Sequence, residues 1–215
     1  MLNAVITDWG GVLTEPIRDI IQIWIEAEKI DWDTYAAVMR PWLSDAYEDD
    51  REGDANPVHL LERGECTVAE FEAALAARLV RTDGGTVVPD GLLKRMLSAT
   101  DTKVPAMYDL IRTLRAKGLR TGLLSNSWGT DGYPRDDFPA LFDAVVLSAE
   151  VGMRKPEPRI FQHAAGLLCL APAECVFIDD VKANVDAAIA CGMTGVWHTD
   201  PVSTARALTQ LFANR

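Results

Sequence analysis

The chain opens with a short apolar run, Leu2 to Thr7, that leads straight into Asp8-Trp9-Gly10-Gly11. Such a run suits a central parallel strand, which helices cover on both faces. Runs of the same character recur at Arg120–Leu124, Ala144–Leu147 and Val176–Ile178, and Thr194–Trp197 reads as a fifth. Helical spacing fills the intervals at Pro105–Lys117, Pro158–Leu168 and Val181–Ala190, and a last helix covers roughly Ser203–Phe212. Strands alternating with helices predict an α/β fold built on a doubly wound, Rossmann-like parallel sheet.

The pattern changes between the first strand and Lys103. Ile17, Ile20, Ile21, Trp24 and Ile25 recur at helical spacing, as do Tyr35, Val38, Met39 and Trp42, followed by Val58, Leu60 and Leu61. Thr67-Val-Ala-Glu70 is a capping box, in which each side chain satisfies a free backbone N–H, and it opens a helix carrying Phe71, Leu75 and Leu79. Asp83-Gly84-Gly85 interrupts that run before a short helix at Leu92–Leu97. No strand pattern lies in this interval. The expected organisation is an α/β core of residues 1–14 and 101–215 with an all-helical insertion of residues 15–100.

Composition narrows the function. With 215 residues, 48% hydrophobic and 25% charged, the chain is ordinary for a globular protein and long enough for a sizeable core. A formal charge of −11 opposes binding to nucleic acid or to anionic membranes, and it makes any small anionic substrate depend on a local positive site. Cys66, Cys169, Cys175 and Cys191 show no C-x-x-C spacing and read as reduced packing thiols. No apolar segment approaches the ~20 residues that span a bilayer, and no signal peptide is evident, so the expected location is cytoplasmic.

In open parallel sheets, ligands bind beyond the carboxyl ends of the strands. The first strand ends in Asp8, the second in Ser125-Asn126 and the fourth in Asp179-Asp180, and the chain after the third runs through Gly152 to Lys155. Carboxylates, a hydroxyl, an amide and a lysine would meet at one mouth. That set suits phosphoryl transfer: a carboxylate attacks phosphorus, while a lysine and Mg²⁺ offset the charge of an anionic nucleophile meeting an anionic phosphate. Magnesium takes oxygen ligands and keeps several waters, so one or two carboxylates and a carbonyl suffice.

Four segments carry a family resemblance, in order. They are Val5-Ile-Thr-Asp8-Trp-Gly-Gly-Val-Leu13, Leu123-Leu-Ser125-Asn126, Gly152-Met-Arg-Lys155-Pro156-Glu-Pro-Arg-Ile-Phe161 and Val176-Phe-Ile-Asp179-Asp180-Val-Lys-Ala-Asn184. Together they resemble the motifs of the haloacid dehalogenase (HAD) superfamily of aspartate-nucleophile phosphatases. From Leu123 onward the chain is most similar to the α-D-glucose-1-phosphate phosphatases and the N-terminal phosphatase domain of soluble epoxide hydrolase.

The resemblance implies a Mg²⁺-dependent phosphohydrolase acting on a small phosphorylated metabolite. Asp8 would be the nucleophile and, with Asp180 and the Gly10 carbonyl, a Mg²⁺ ligand. Ser125 and Asn126 would hold the transferred phosphate, and Lys155 would offset charge on the phosphate and on Asp8. Asp179 and Asn184 would orient metal-bound waters, and residues 15–100 would form the cap that selects substrate. The chain departs from the family at Gly10, where most members carry a second aspartate that protonates the leaving group and activates water. General acid–base catalysis is typically worth ~10²–10⁴-fold in rate, so turnover should be slow rather than absent.

Other readings compete at these positions. Asp8 before Gly10-Gly11 suits a simple turn. Asp179-Asp180 suits the N-terminus of the following helix, and both uses are expected together. His59, His163 and His198 have no ligand spacing, and Trp24, Trp32 and Trp42 read as packing in the helical insertion. Two alternatives to a phosphatase remain. One is a catalytically weak or silent relative that binds a phosphorylated ligand or a protein partner. The other is a dehalogenase, against which Asp180 argues by pointing to a metal.

Overall fold

The computed structural model describes residues 1–44, 56–97 and 103–213. Five strands, β1 (Ala4–Thr7), β2 (Arg120–Ser125), β3 (Ala144–Leu147), β4 (Cys175–Asp179) and β5 (Thr194–Trp197), form one parallel sheet in the order β3-β2-β1-β4-β5. β1 is buried along its whole length at the centre, as its apolar run predicts. It is two residues shorter at its start than the apolar pattern, and β2 is one longer at its end, so that Ser125 is itself the last strand residue.

Side chains alternate across the sheet with a period of two, and the two faces feed separate clusters. Val5, Leu123, Val176, Ile178 and Val196 point to one face, where they pack with residues of α6 (Pro105–Ala116), α7 (Phe138–Leu141) and α11 (Pro201–Leu211). Ala4, Ile6, Leu124, Val146 and Phe177 point to the other, against Ile160, Phe161, Ala164 and Ala165 of α9 (Pro158–Leu167) and Ala188 of α10 (Lys182–Ala190). Helices thus cover both faces, which is the doubly wound arrangement. A short helix, α8 (Ser148–Val151), follows β3.

Among the described residues, five helices lie between β1 and α6: α1 (Ile17–Glu28), α2 (Trp32–Ser44), α3 (Pro57–Glu62), α4 (Val68–Ala76) and α5 (Leu92–Leu97). They form a third buried cluster that includes Ile21, Trp24, Tyr35, Met39, Leu61, Phe71, Leu75, Leu92 and Met96. Local chemistry fixes their starts. The Asn56 side chain caps α3 through Val58 N, and Thr67 and Glu70 form the expected capping box on α4. The buried Glu72 carboxylate accepts the backbone N–H groups of Gly91 and Leu93 and so anchors the first turn of α5.

The chain leaves and re-enters the sheet layer at one place, where Thr14 and Lys103 form an isolated antiparallel bridge and Val104 N donates to Leu13 O at 2.9 Å. The expected boundary at residues 100 and 101 lies outside the described residues. Among the described residues, no helix is long and apolar enough to cross a membrane.

Two packing expectations need correction. Trp24 is buried and Trp42 packs against the helical cluster, but Trp32 is 52% exposed at the start of α2. All four cysteines are free thiols, yet Cys169 is exposed in a left-handed turn after α9 rather than packed. Both residues sit at helix ends, where helical periodicity no longer says which way a side chain points.

Candidate active site

Every polar residue singled out at a strand end lies at the carboxyl edge of the sheet, but the roles they take differ. Asp8 follows β1 directly, and its backbone N–H donates to Ile178 O at 2.8 Å, which ties it to the neighbouring strand. Its Oδ1 lies 2.8 Å from Lys155 Nζ. The same ammonium meets Asp179 Oδ2 at 2.7 Å, so one fully buried cation bridges the ends of β1 and β4. Burial of this kind is tolerable only because both partners are charged and closely placed.

Charge in this corner is unbalanced. Asp8, Asp179 and Asp180 bring carboxylate oxygens within 4.8 Å of one another, and Lys155 pairs with the first two. Burial pushes the Asp8 carboxyl up to about 8; Lys155 opposes this, while Asp179 and Asp180 add to it. Burial and the Asp179 charge likewise raise Asp180 to about 6. Burial alone would lower the Lys155 ammonium, but Asp179 and Asp8 outweigh it and hold it above its usual range. A further positive charge would relieve both carboxyls, so the donor set fits a hard divalent cation with oxygen ligands.

The paired aspartates divide their work. Asp179 is wholly buried and fully engaged: beyond Lys155, its Oδ1 accepts Val181 N at 2.8 Å, and Asn184 Nδ2 approaches both of its oxygens at 3.3 and 3.1 Å. Neither aspartate caps α10 as expected: its N-cap is Val181, with no side-chain cap bond, and Asp179 instead holds the turn just before it. Asp180 is partly exposed and presses against Gly11, where a Cβ would come within 2.1 Å of its Oδ2. Gly11 also has a φ of 71°, so no other residue fits there. Gly10 is different: its backbone is not left-handed, and a Cβ would meet only Ile17 side-chain atoms, at 3.5 Å or more.

Asn126 does not present a free amide. Its Oδ1 accepts Lys155 N at 2.8 Å, and its Nδ2 donates to Lys155 O at 3.0 Å and Glu62 Oε2 at 3.2 Å. Its side chain therefore clamps the backbone on either side of the lysine and fixes the path that brings Nζ to Asp8. Ser125 is buried, with its Oγ 2.9 Å from Tyr133 Oη.

Four residues of this neighbourhood were not singled out in the sequence. Glu62 ends α3 and forms a buried ion pair with Arg154, Nε to Oε2 at 2.7 Å, while its Oε1 accepts Trp128 Nε1 at 3.1 Å. Tyr133 packs against Trp9, with ring centroids 5.5 Å apart, and burial raises its phenol above the usual range. Arg154 lies within the third quoted segment and Trp128 two residues after Asn126, which was the available signal. Glu62 and Tyr133 carry none, because only the fold brings them to the site.

The arrangement offers a carboxylate beside a fixed ammonium, an acidic cluster suited to a metal, and a hydroxyl at the adjacent strand end. The family model described as haloacid dehalogenase-like hydrolase matches residues 2–192. Acyl-CoA dehydrogenase family member 10 of Mus musculus is 30% identical over 215 residues, covering 97% of this chain but 19% of that protein. The chain therefore spans about a fifth of that relative's length. Phosphatase MT3486 of Mycobacterium tuberculosis is 28% identical, over 89% of this chain and 85% of its own. Among solved structures, a HAD family enzyme of Bacteroides thetaiotaomicron in complex with magnesium and inorganic phosphate superposes with a TM-score of 0.62. It is 22% identical and covers 99% of this chain and 100% of its own, a likeness of fold.

Proposed function

The chain belongs to the haloacid dehalogenase-like hydrolase family, and from that premise we propose that it is a phosphomonoester hydrolase acting on a small phosphorylated metabolite. The observation that carries this reading is the 2.8 Å contact between Asp8 Oδ1 and Lys155 Nζ beside the clustered carboxylates of Asp179 and Asp180. The likeness to a protein named as a phosphatase agrees with it.

In this reading a carboxylate oxygen of Asp8 attacks phosphorus, the P–O bond to the substrate's ester oxygen breaks and the alcohol departs. Water then cleaves the aspartyl phosphate to inorganic phosphate and free Asp8. Lys155 orients Asp8, favours its ionised form against the effect of burial and neutralises part of the charge on the incoming phosphate. Ser125 donates its hydroxyl to a phosphate oxygen. Asn126 acts mainly through Lys155, whose backbone it clamps on both sides. Asp179 holds the other side of the ammonium, and Asn184 orients Asp179.

The residues present fit Mg²⁺, which Asp8, Asp180 and the Gly10 carbonyl would hold. When bound, it would offset the negative charge that gathers as phosphate meets Asp8. We also propose that residues 15–100, with their separate buried cluster, form a cap that selects the substrate.

Phosphate release from p-nitrophenyl phosphate and from a panel of phosphorylated metabolites, with and without Mg²⁺, tests the reading. Mg²⁺-dependent release that Asp8→Asn abolishes is the expected result. Release of halide from a haloacid without metal would favour a dehalogenase. Phosphate binding without turnover would favour a silent relative.

A further inference from the structure

Ser125 closes β2, and Tyr133 lies eight residues on, in the segment that crosses the carboxyl edge of the sheet. Their hydroxyl oxygens are 2.9 Å apart, a normal O–H···O distance, and such a contact holds one hydrogen. A serine hydroxyl has a single hydrogen and two lone pairs. If that hydrogen goes to a phosphate oxygen, the bond to Tyr133 must carry the phenol's hydrogen instead. We propose that Tyr133 is a positioning residue, whose phenol donates to Ser125 Oγ and so leaves the serine hydrogen directed at the transferred phosphate. This inference rests on the reading of Ser125 as a phosphate-holding residue.

The surroundings give the phenol this direction. The serine hydrogen has a competing acceptor in the Asn126 carbonyl, 3.5 Å from Oγ. At 3.5 Å that carbonyl is a weak competitor, and an Oγ that accepts the phenol's hydrogen becomes a stronger donor to a phosphate oxygen at closer range. Ser125 is 3% exposed, so water cannot readily take the phenol's place. The ring itself is held by Trp9 at 5.5 Å and Phe138 at 6.2 Å between centroids, which fixes where Oη can sit.

Tyr133→Phe removes one oxygen and keeps the ring, so packing on Trp9 and Phe138 survives. The experiment measures inhibition by inorganic phosphate, together with KM and kcat for p-nitrophenyl phosphate in saturating Mg²⁺. It compares wild type, Tyr133→Phe, Ser125→Ala and the double variant. Tyr133→Phe should weaken phosphate binding roughly 5-fold, the usual range for one hydrogen bond. In the Ser125→Ala background the same change should have no further effect, because Tyr133 acts through the serine. Wild-type behaviour in Tyr133→Phe while Ser125→Ala is impaired would overturn the Tyr133 inference alone. An undiminished effect of Tyr133→Phe in the Ser125→Ala background would also overturn it, showing direct contact with phosphate or a packing role. Equal phosphate binding by wild type and Ser125→Ala would overturn the reading of the serine, and this inference with it.

Discussion

Glu62 and Arg154, 92 residues apart in the chain, form a buried ion pair at 2.7 Å that ties the end of α3 to the residue preceding Lys155. The same carboxylate takes hydrogen bonds from Asn126 and Trp128, so one acid fixes two of the loops that frame the site. Gly64, two residues on, reinforces the joint: a Cβ there would lie 2.5 Å from Ala149 O at the base of α8. A cap that swung as one rigid unit would have to break this pair. The pair couples α3 to the segment that carries Lys155.

Glu62→Gln tests that role. The amide keeps the shape but removes the negative charge that Arg154 meets at 2.7 Å, and breaking one side of a buried pair typically costs about 3–5 kcal/mol. The expected result is a clear fall in the urea midpoint, with phosphate release reduced because Asn126 and Lys155 are less firmly placed. A midpoint within error of wild type would show that the pair is not a structural joint.

Asp8→Asn is expected to abolish phosphate release while the protein stays folded. The amide is close in size and cannot attack phosphorus. It removes an unfavourably buried carboxyl but also one of the two counter-ions of Lys155, which keeps Asp179. Circular dichroism should be unchanged in the absence of Mg²⁺. Residual activity near wild type would remove Asp8 from the role of nucleophile.

The sheet was readable from the sequence because buried strands leave contiguous apolar runs, and each polar residue that ends such a run marks the same edge. Asp8, Ser125, Asp179 and Asp180 were found that way, and Lys155 from the segment that follows the third strand. What stayed hidden depends on contacts between distant segments. Glu62 looks like any helix-end glutamate until α3 docks beside Arg154, and Tyr133 resembles an ordinary loop aromatic until the chain folds over Ser125. Asn126 was found as a site residue, but its use as a clamp on Lys155 appears only when the two loops are placed together.

Asp179 and Asp180 should respond differently to removal. Asp180→Ala deletes the partly exposed member and should raise the Mg²⁺ concentration needed for activity, with little loss of stability. Asp179→Ala deletes a buried partner of Lys155, Asn184 and the turn into α10, so its main effect should be a loss of about 3–5 kcal/mol in stability. Titration calorimetry with Mg²⁺ and urea unfolding of both variants decide the matter. A larger loss of Mg²⁺ affinity in Asp179→Ala than in Asp180→Ala would exchange the two assignments.

In the proposed reaction, Gly10 should set the kinetics. With no side-chain acid at this position, the departing oxygen must carry its own negative charge, so formation of the aspartyl phosphate should depend steeply on leaving-group pKa. Aryl and acyl phosphates, and sugar 1-phosphates, should react faster than simple alkyl esters. Water attack should also be slow, so phosphoenzyme should accumulate. Gly10→Asp should flatten that dependence and shorten the intermediate's lifetime, a change within the ~10²–10⁴-fold range of general acid–base catalysis. The backbone admits the substitution: Gly10 does not need a left-handed φ, and its Cβ would make only ordinary contact with Ile17. The same replacement at Gly11 should damage the site, because a Cβ there collides with the Asp180 carboxylate. Stopped-flow rates for esters of graded leaving-group pKa, in wild type and Gly10→Asp, provide the measurement. A flat dependence in the wild type would mean that another group already supplies the proton, and the variant would then gain little.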